Sequence, residues 1–297
     1  MINIQFGTGF QSYHPYVNIL YFFFVGVLAM YVNHPIFLLT GLIVIILTTL
    51  ALGGKSQLKT WTPLITIMAF IMIVLNPFLV SRGTNILFYF RGKQVTLEAT
   101  MYGFVMALSI VTILLMFISF NIVLNGNKFL FIFSRILPRT AFLIMLTLRF
   151  MPLLKERYEE IDMAQRLKGM TLAHGSLFKR MKNGLTFVQI LLAWSLEEAL
   201  QTADAMKARG YGTGKTSSYI PYNMQARDWM SILYLTLLFS LCLFSGYLGY
   251  GKIVIYPELG TLQFFALDWV SFFSMILLFS FPLHIEGREK LRWTFSR

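Results

Sequence analysis

The sequence predicts an all-α polytopic membrane protein, with about six transmembrane helices and a module of two long helices set between the fourth and the fifth. Three observations carry that prediction. Of 297 residues, 57% are hydrophobic and only 13% charged, whereas soluble domains are under half apolar and about a quarter charged. Several apolar runs approach the roughly 20 residues needed to cross a hydrocarbon core. The charge is also unevenly placed: within a net +12, the segment Asn125–Asp228 holds 15 of the 25 Lys and Arg residues against 8 of the 13 acids.

Four spans are expected first, at Tyr16–Val32, Pro35–Leu52, Trp61–Val80 and Ala99–Leu124, making residues 1–124 an N-terminal transmembrane region. The opening MINIQFGTGF has no basic stretch leading into a short apolar one, so the first span itself is expected to direct insertion. Residues 125–227 form the basic module. Residues 228–297 supply spans at Trp229–Leu248 and Phe265–Leu283 and a tail, Glu286–Arg297, with four further basic residues. Basic segments are retained on the cytoplasmic side, which predicts that the module, the Gly53–Thr60 loop with Lys55 and Lys59, and both termini face the cytoplasm. The Ser81–Thr96 loop then lies outside despite Arg82, Arg91 and Lys93; the larger bias decides.

Within the module, Asn125-Gly126-Asn127 breaks the chain after the fourth span. TAFLIMLTLRFMPLLKERYEEIDMAQRLKG follows as a helix, apolar first and charged later. Pro152 is expected to kink or restart it. Arg149 interrupts its apolar half, a costly position unless the side chain snorkels or finds a partner. Asp162 and Arg166 stand four apart, acid first, the favourable order on a helix surface. HGSLFKRMKNG reads as a polar connection, and LTFVQILLAWSLEEALQTADAMKARG as a second long helix.

Aligned on their glycines, the two helix ends read Arg166-Leu167-Lys168-Gly169 and Lys207-Ala208-Arg209-Gly210, 41 residues apart. Cations in a last turn followed by glycine are an ordinary way to end a helix. Two matching ends in one module say more: they suit a partner present in two copies, each offering an acidic groove, because arginine's planar fork grips a carboxylate bidentately. Asp162 and Asp204 are expected to orient the basic side chains.

Other chemistries are poorly supported. GYGTGKTS, residues 210–217, imitates a phosphate-binding loop but has the wrong glycine spacing and follows a helix where the motif follows a strand. The single cysteine, Cys242, lies in an apolar run and excludes cysteine-based metal or disulfide frameworks. His14, His34, His174 and His284 are scattered over span ends and connections, and Glu98, Asp228 and Asp268 lie at span edges. A proton-coupled carrier or an intramembrane enzyme keeps ionisable groups at membrane depth. A conventional ABC permease forming its own path needs polar residues deep in its spans, where Asn76, Ser109 and Ser119 are few. These two alternatives, permease and membrane-embedded enzyme, predict transport without a further membrane subunit and turnover without an ATPase, respectively.

The stretch LPRTAFLIMLTLRFMPLLKERYEEIDMAQRLKG, followed by EEALQTADAMKARGYG, resembles the transmembrane T component of energy-coupling factor (ECF) ABC importers, the cobalt-transport permease Q-like family. That family closes two long coupling helices with Ala-Arg-Gly-like tips. Ala208-Arg209-Gly210 matches in full, Arg149-Phe150-x-Pro152 looks like a family element, and Leu167-Lys168-Gly169 departs from the pattern by losing the planar fork. The resemblance implies a bacterial or archaeal plasma-membrane subunit with no cofactor of its own. It implies two ABC-type ATPase subunits that bind ATP, each receiving one tip, and a membrane S component that captures a vitamin, cobalt or nickel. Nucleic acid is not among the implied partners, and no residue is implied as catalytic. Contact falls to Arg166, Lys168, Gly169, Lys207, Ala208, Arg209 and Gly210, with Asp162, Asp204, Arg149 and Pro152 in support. The unequal tips point to unequal partners.

Overall fold

The computed structural model describes residues 9–80, 82–90, 93–168, 176–214, 222–253 and 266–295. Two compact units emerge: Met1–Phe129 with Tyr222–Arg297, and Leu130–Pro221.

The first unit is built on helices whose starts follow from local chemistry. Pro15 and Pro35 open α1 (Pro15–Tyr31) and α2 (Pro35–Ala51), where a fixed φ and a missing N–H cost nothing. Helix α3 (Lys55–Leu79) starts earlier than the expected span, so Lys55 and Lys59 ride on its first turns. Thr96 caps α4 (Leu97–Val123), its hydroxyl accepting from the Ala99 N–H at 3.3 Å. The Gln225 and Asp228 side chains form a reciprocal capping box at the start of α8 (Ala226–Tyr247). Helix α5 (Gly126–Ile136) begins in the first unit after the expected break. Helices α9 (Ala266–Phe279) and α10 (Phe281–Phe295) complete the chain.

Among the described residues α3, α4 and α8 are long and apolar enough to cross a membrane, and α9 with the first part of α10 forms a pair bent by 52° that passes as a fourth span. Helices α1 and α2 are apolar but have 17 residues each, the lower limit for a span. The all-α polytopic class holds, and α1 and α2 coincide to within a residue at each end with the first two expected spans. The Ser81–Thr96 loop contains an unexpected antiparallel hairpin, β1 (Ile86–Phe90) with β2 (Lys93–Thr96).

Helix α4 lies against α1, α2 and α3, while α8 packs on α1 and α9. Gly103 permits the α3–α4 approach: a Cβ there would sit 3.0 Å from Asn76 Cβ and 3.2 Å from the Met72 carbonyl oxygen. Hydroxyls bridge helices, Thr49 Oγ1 to Ser119 Oγ at 2.8 Å and Cys242 Sγ to Ser274 Oγ at 3.0 Å. Such bonds satisfy polar groups where no water is available. Phe24 stacks on Phe239 with ring centroids 4.0 Å apart.

The segment Gly9–His14 is tied down by charged groups from three helices. The Phe10 N–H donates to Glu286 of α10 at 2.9 Å, Lys128 Nζ of α5 donates to the Gln11 carbonyl at 2.6 Å, and Arg227 of α8 donates to the Ser12 carbonyl at 3.0 Å while lying over the Tyr13 ring. Phe10 is fully buried among Tyr13, Tyr21, Phe22 and Phe281.

The second unit holds α6 (Pro138–Leu167) and α7 (Leu177–Ala208). Helix α6 neither breaks nor restarts at Pro152. The ring lies on an exposed side, and the turns on both sides sustain the helix past the missing N–H. Helix α7 begins eight residues before the expected Leu185, because Ser176 caps it, accepting from the Lys179 N–H at 3.4 Å. The expected polar connection HGSLFKRMKNG is therefore largely helical from Leu177 onward.

Candidate functional site

The site is built from the ends of α6 and α7, and these helices run antiparallel. Phe142 near the start of α6 stacks on Tyr211 just past the end of α7, centroids 5.1 Å apart. Arg157 lies 5.0 Å over the Trp194 ring, and Tyr158 meets Phe187. The two basic ends therefore point to opposite ends of the pair. From the Tyr158–Phe187 contact, one end lies eight residues along α6 and the other 22 along α7. At 1.5 Å per residue the tips are on the order of 40 Å apart.

The first tip is exposed at Arg166, Leu167 and Lys168. Arg166 Nη2 is held by Asp162 Oδ2 at 2.6 Å. Lys168 takes the cap position, its N–H donating to the Gln165 carbonyl at 3.0 Å. Gly169 lies outside the described residues.

The second tip is a Schellman turn. The Tyr211 N–H donates to the Met206 carbonyl at 3.0 Å and the Gly210 N–H to the Lys207 carbonyl at 2.9 Å. Gly210 has φ +81°, a conformation glycine adopts without steric cost. Lys207, Ala208 and Arg209 are exposed. The carbonyl end of α7 favours the cations there. Asp204 does not mirror Asp162: among the described residues it makes no ion pair. Lys207 stands three residues beyond it and Arg209 five beyond, and neither is paired with it. Arg149 is likewise exposed, with no ion pair among the described residues.

One face of α7 is apolar and uncovered. Phe178, Met181, Leu185, Val188, Leu192 and Leu196 on α7 are each more than half exposed, and their spacing of three and four residues makes one stripe. Among the described residues no group of three or more His, Cys, Asp or Glu is placed to hold a metal.

A sequence with this pair of helices matches a known family over most of its length. The cobalt transport protein family (CbiQ) matches residues 10–220. The chain belongs to that family. Among curated relatives, the energy-coupling factor transporter transmembrane protein EcfT of Acidaminococcus fermentans is 31% identical over 216 residues, covering 68% of this chain and 80% of the relative. EcfT of Staphylococcus aureus is 22% identical over 231 residues, covering 73% and 85%. EcfT 1 of Listeria monocytogenes is 40% identical, but over 78 residues that cover 26% of this chain and only 29% of the relative. The CbiQ assignment makes this chain a multi-pass membrane protein of a transport family.

Sequence reasoning found the tips but missed what holds them. Tyr211 and Phe142 lie 69 residues apart, and Arg157 pairs with an indole 37 residues away. The signal was the aromatic after Gly210, which suits the apolar contact that accompanies a Schellman turn.

Proposed function

We propose that this chain is the energy-coupling scaffold of an ECF-type ABC importer. It links two ATPase subunits to a substrate-binding S component for uptake of a vitamin or a transition-metal ion. It catalyses no reaction, and ATP binds its partners. The observation that carries this reading is the antiparallel pair: it sends two basic tips to opposite ends, one for each of two ATPases. A plain pair of helix caps needs no such separation. The names of the EcfT relatives support the same reading.

In this mechanism the α6–α7 pair and both termini lie in the cytoplasm of a bacterial or archaeal cell, under the plasma membrane. Each tip seats Arg166 with Lys168, or Lys207 with Arg209, in an acidic groove of one ATPase. Closure of the ATPase pair on ATP draws the tips toward each other. The helices pivot about the contacts of Tyr158 with Phe187 and of Arg157 with Trp194. The exposed stripe from Phe178 to Leu196 then changes shape beneath the S component, which reorients and releases its substrate inward.

The test is capture of the native ATPases by the tagged chain, wild type against Arg209→Glu and Lys168→Glu. Reversing a charge in a grooved ion pair costs on the order of 2–5 kcal/mol, so each variant should lose its ATPase while still inserting in the membrane. ATPases that stay bound to both variants would make the tips ordinary helix ends and remove the basis of the proposal.

A further inference from the structure

The hairpin between α3 and α4 takes no part in the coupling mechanism. Its two strands are unlike. β2 is the inner strand: Val95 and Thr96 are buried, and β2 packs against α3 and α4. β1 is the outer strand: Ile86, Leu87, Phe88 and Tyr89 are four consecutive large apolar residues, all between 42% and 65% exposed. A bulge between Ile86 and Phe88 disturbs the alternation, and Phe88 lies opposite Val95, Tyr89 opposite Gln94.

The base of the hairpin is fixed to α4. Glu98, fully buried in the first turn, accepts on Oε1 from the N–H groups of Thr84 at 3.3 Å and Asn85 at 3.0 Å. The Asn85 side chain adds a bond at 3.0 Å and the Thr84 hydroxyl one at 3.3 Å. Thr96, the cap of α4, donates to the Arg82 carbonyl at 2.6 Å. Gly83 fits against the carboxylate; a Cβ there would fall 2.4 Å from Glu98 Oε2.

Three observations identify the occupant of the exposed strand. It follows a helix whose surface suits lipid, since α3 is long and apolar enough to cross a membrane and is exposed at Phe70, Leu75 and, in its last turn, Leu79. Cations bracket it in sequence, Arg82 before and Arg91 and Lys93 after. Among the described residues its outer edge has no strand partner, and open sheet edges are not tolerated in hydrocarbon. Apolar and aromatic residues, cations and an edge that needs water meet their requirements together only at headgroup level.

We propose that β1 is an interfacial membrane anchor. Its apolar side chains reach the upper acyl chains, while the exposed Arg82 at its base meets anionic lipid phosphates. Through Glu98 and Thr96 the anchor fixes the depth of this end of α4. The inference does not depend on the ATPase or S-component reading.

The test uses the full chain with Cys242→Ser, which removes the one cysteine, and a single cysteine introduced by Phe88→Cys or, separately, Tyr89→Cys. Either is labelled with an environment-sensitive fluorophore. The protein is reconstituted in vesicles of phosphatidylcholine with or without phosphatidylglycerol, carrying bromine either high on the acyl chains or near their ends. The expected result is quenching several-fold stronger from the shallow bromines than from the deep ones, and increased by phosphatidylglycerol. Arg82→Gln should at least halve that increase. A water-like emission unquenched by either lipid, or stronger quenching from the deep bromines, would overturn the proposal. So would shielding that appears only when a second membrane protein is added, which would make the strand a protein-docking surface.

Discussion

Helices α4 and α7 are similar in length and opposite in environment. Twelve of the 27 residues of α4 are buried, against two of the 32 in α7. Exposure alone does not identify a docking surface, because α3 also buries only two of its 25 residues. The distinction is in the charge. Beyond Lys59, α3 carries no charged residue, which suits lipid on all exposed sides. Helix α7 begins its apolar stripe among Lys179, Arg180 and Lys182 and ends it just before the charged stretch from Glu197 to Lys207. A surface that is apolar in the middle and charged at both ends suits other proteins better than lipid alone.

The sharpest way to break that comparison is a matched pair of truncations. Phe37 is fully buried and meets Phe272 edge-on at 5.1 Å. Phe37→Ala should cost about 3 kcal/mol, the low end for a buried phenylalanine. Leu196, 66% exposed, should change stability by less than about 0.5 kcal/mol when made alanine, yet weaken capture of the membrane partner. Thermal unfolding in nanodiscs measures the first effect and co-purification the second. Equal destabilisation by the two would mean that the α7 stripe is internal packing.

A second contrast lies within the first unit. Lys128 is 7% exposed with its ammonium on the Gln11 carbonyl, and burial pushes its pKa down to about 8. An unfolded lysine titrates near 10.4. Between those values the unfolded chain holds more protons, so this residue makes stability rise with pH, by up to about 1.4 kcal/mol per unit. Below pH 8 both states are protonated and the slope vanishes. Melting curves of wild type and Lys128→Met should differ in slope only in that alkaline window. Parallel curves would show that the lysine is solvated.

The tips are sharpened by Gly210→Val. A side chain at φ +81° costs roughly 1–2 kcal/mol, and the Schellman turn should open, releasing Tyr211 from Phe142. The expected outcome is a small loss of thermal stability with a larger loss of ATPase capture. Unchanged capture would mean that the turn does not present Arg209.

What could be read from residues and what could not divides along the same lines. Apolar run length gave α3, α4 and α8, and the glycine after a basic turn marked the end of α7, because both signals are local. The antiparallel pairing that separates the tips rests on Phe142 with Tyr211, a contact between distant residues. The clasp on Gly9–His14 joins Gln11 to Lys128 across 117 positions. The hairpin was hidden because Arg82, Arg91 and Lys93 make its surroundings read as a charged loop, although ILFYF is rich in strand-forming residues. Pro152 was expected to kink or restart α6, and the helix runs through it without restarting.

The smallest predicted effect separates the two tips. Asp162 holds Arg166 at 2.6 Å, with the carboxylate 18% and the guanidinium 67% exposed. A helix-surface pair of this kind contributes only a few tenths of a kcal/mol, so Asp162→Asn should scarcely move the melting temperature. Its effect belongs to the interface. Freed from Asp162, Arg166 must be ordered when the partner binds, at a cost of about 0.5 kcal/mol or roughly twofold in affinity. Asp204→Asn should change little, because among the described residues that carboxylate makes no ion pair. The measurement is ATPase affinity at low and high salt for both variants. A twofold loss confined to Asp162→Asn, fading as salt screens the pair, would mean the tips are pre-organised differently. Equal losses would mean that both aspartates act on the partner through the general field of the tip.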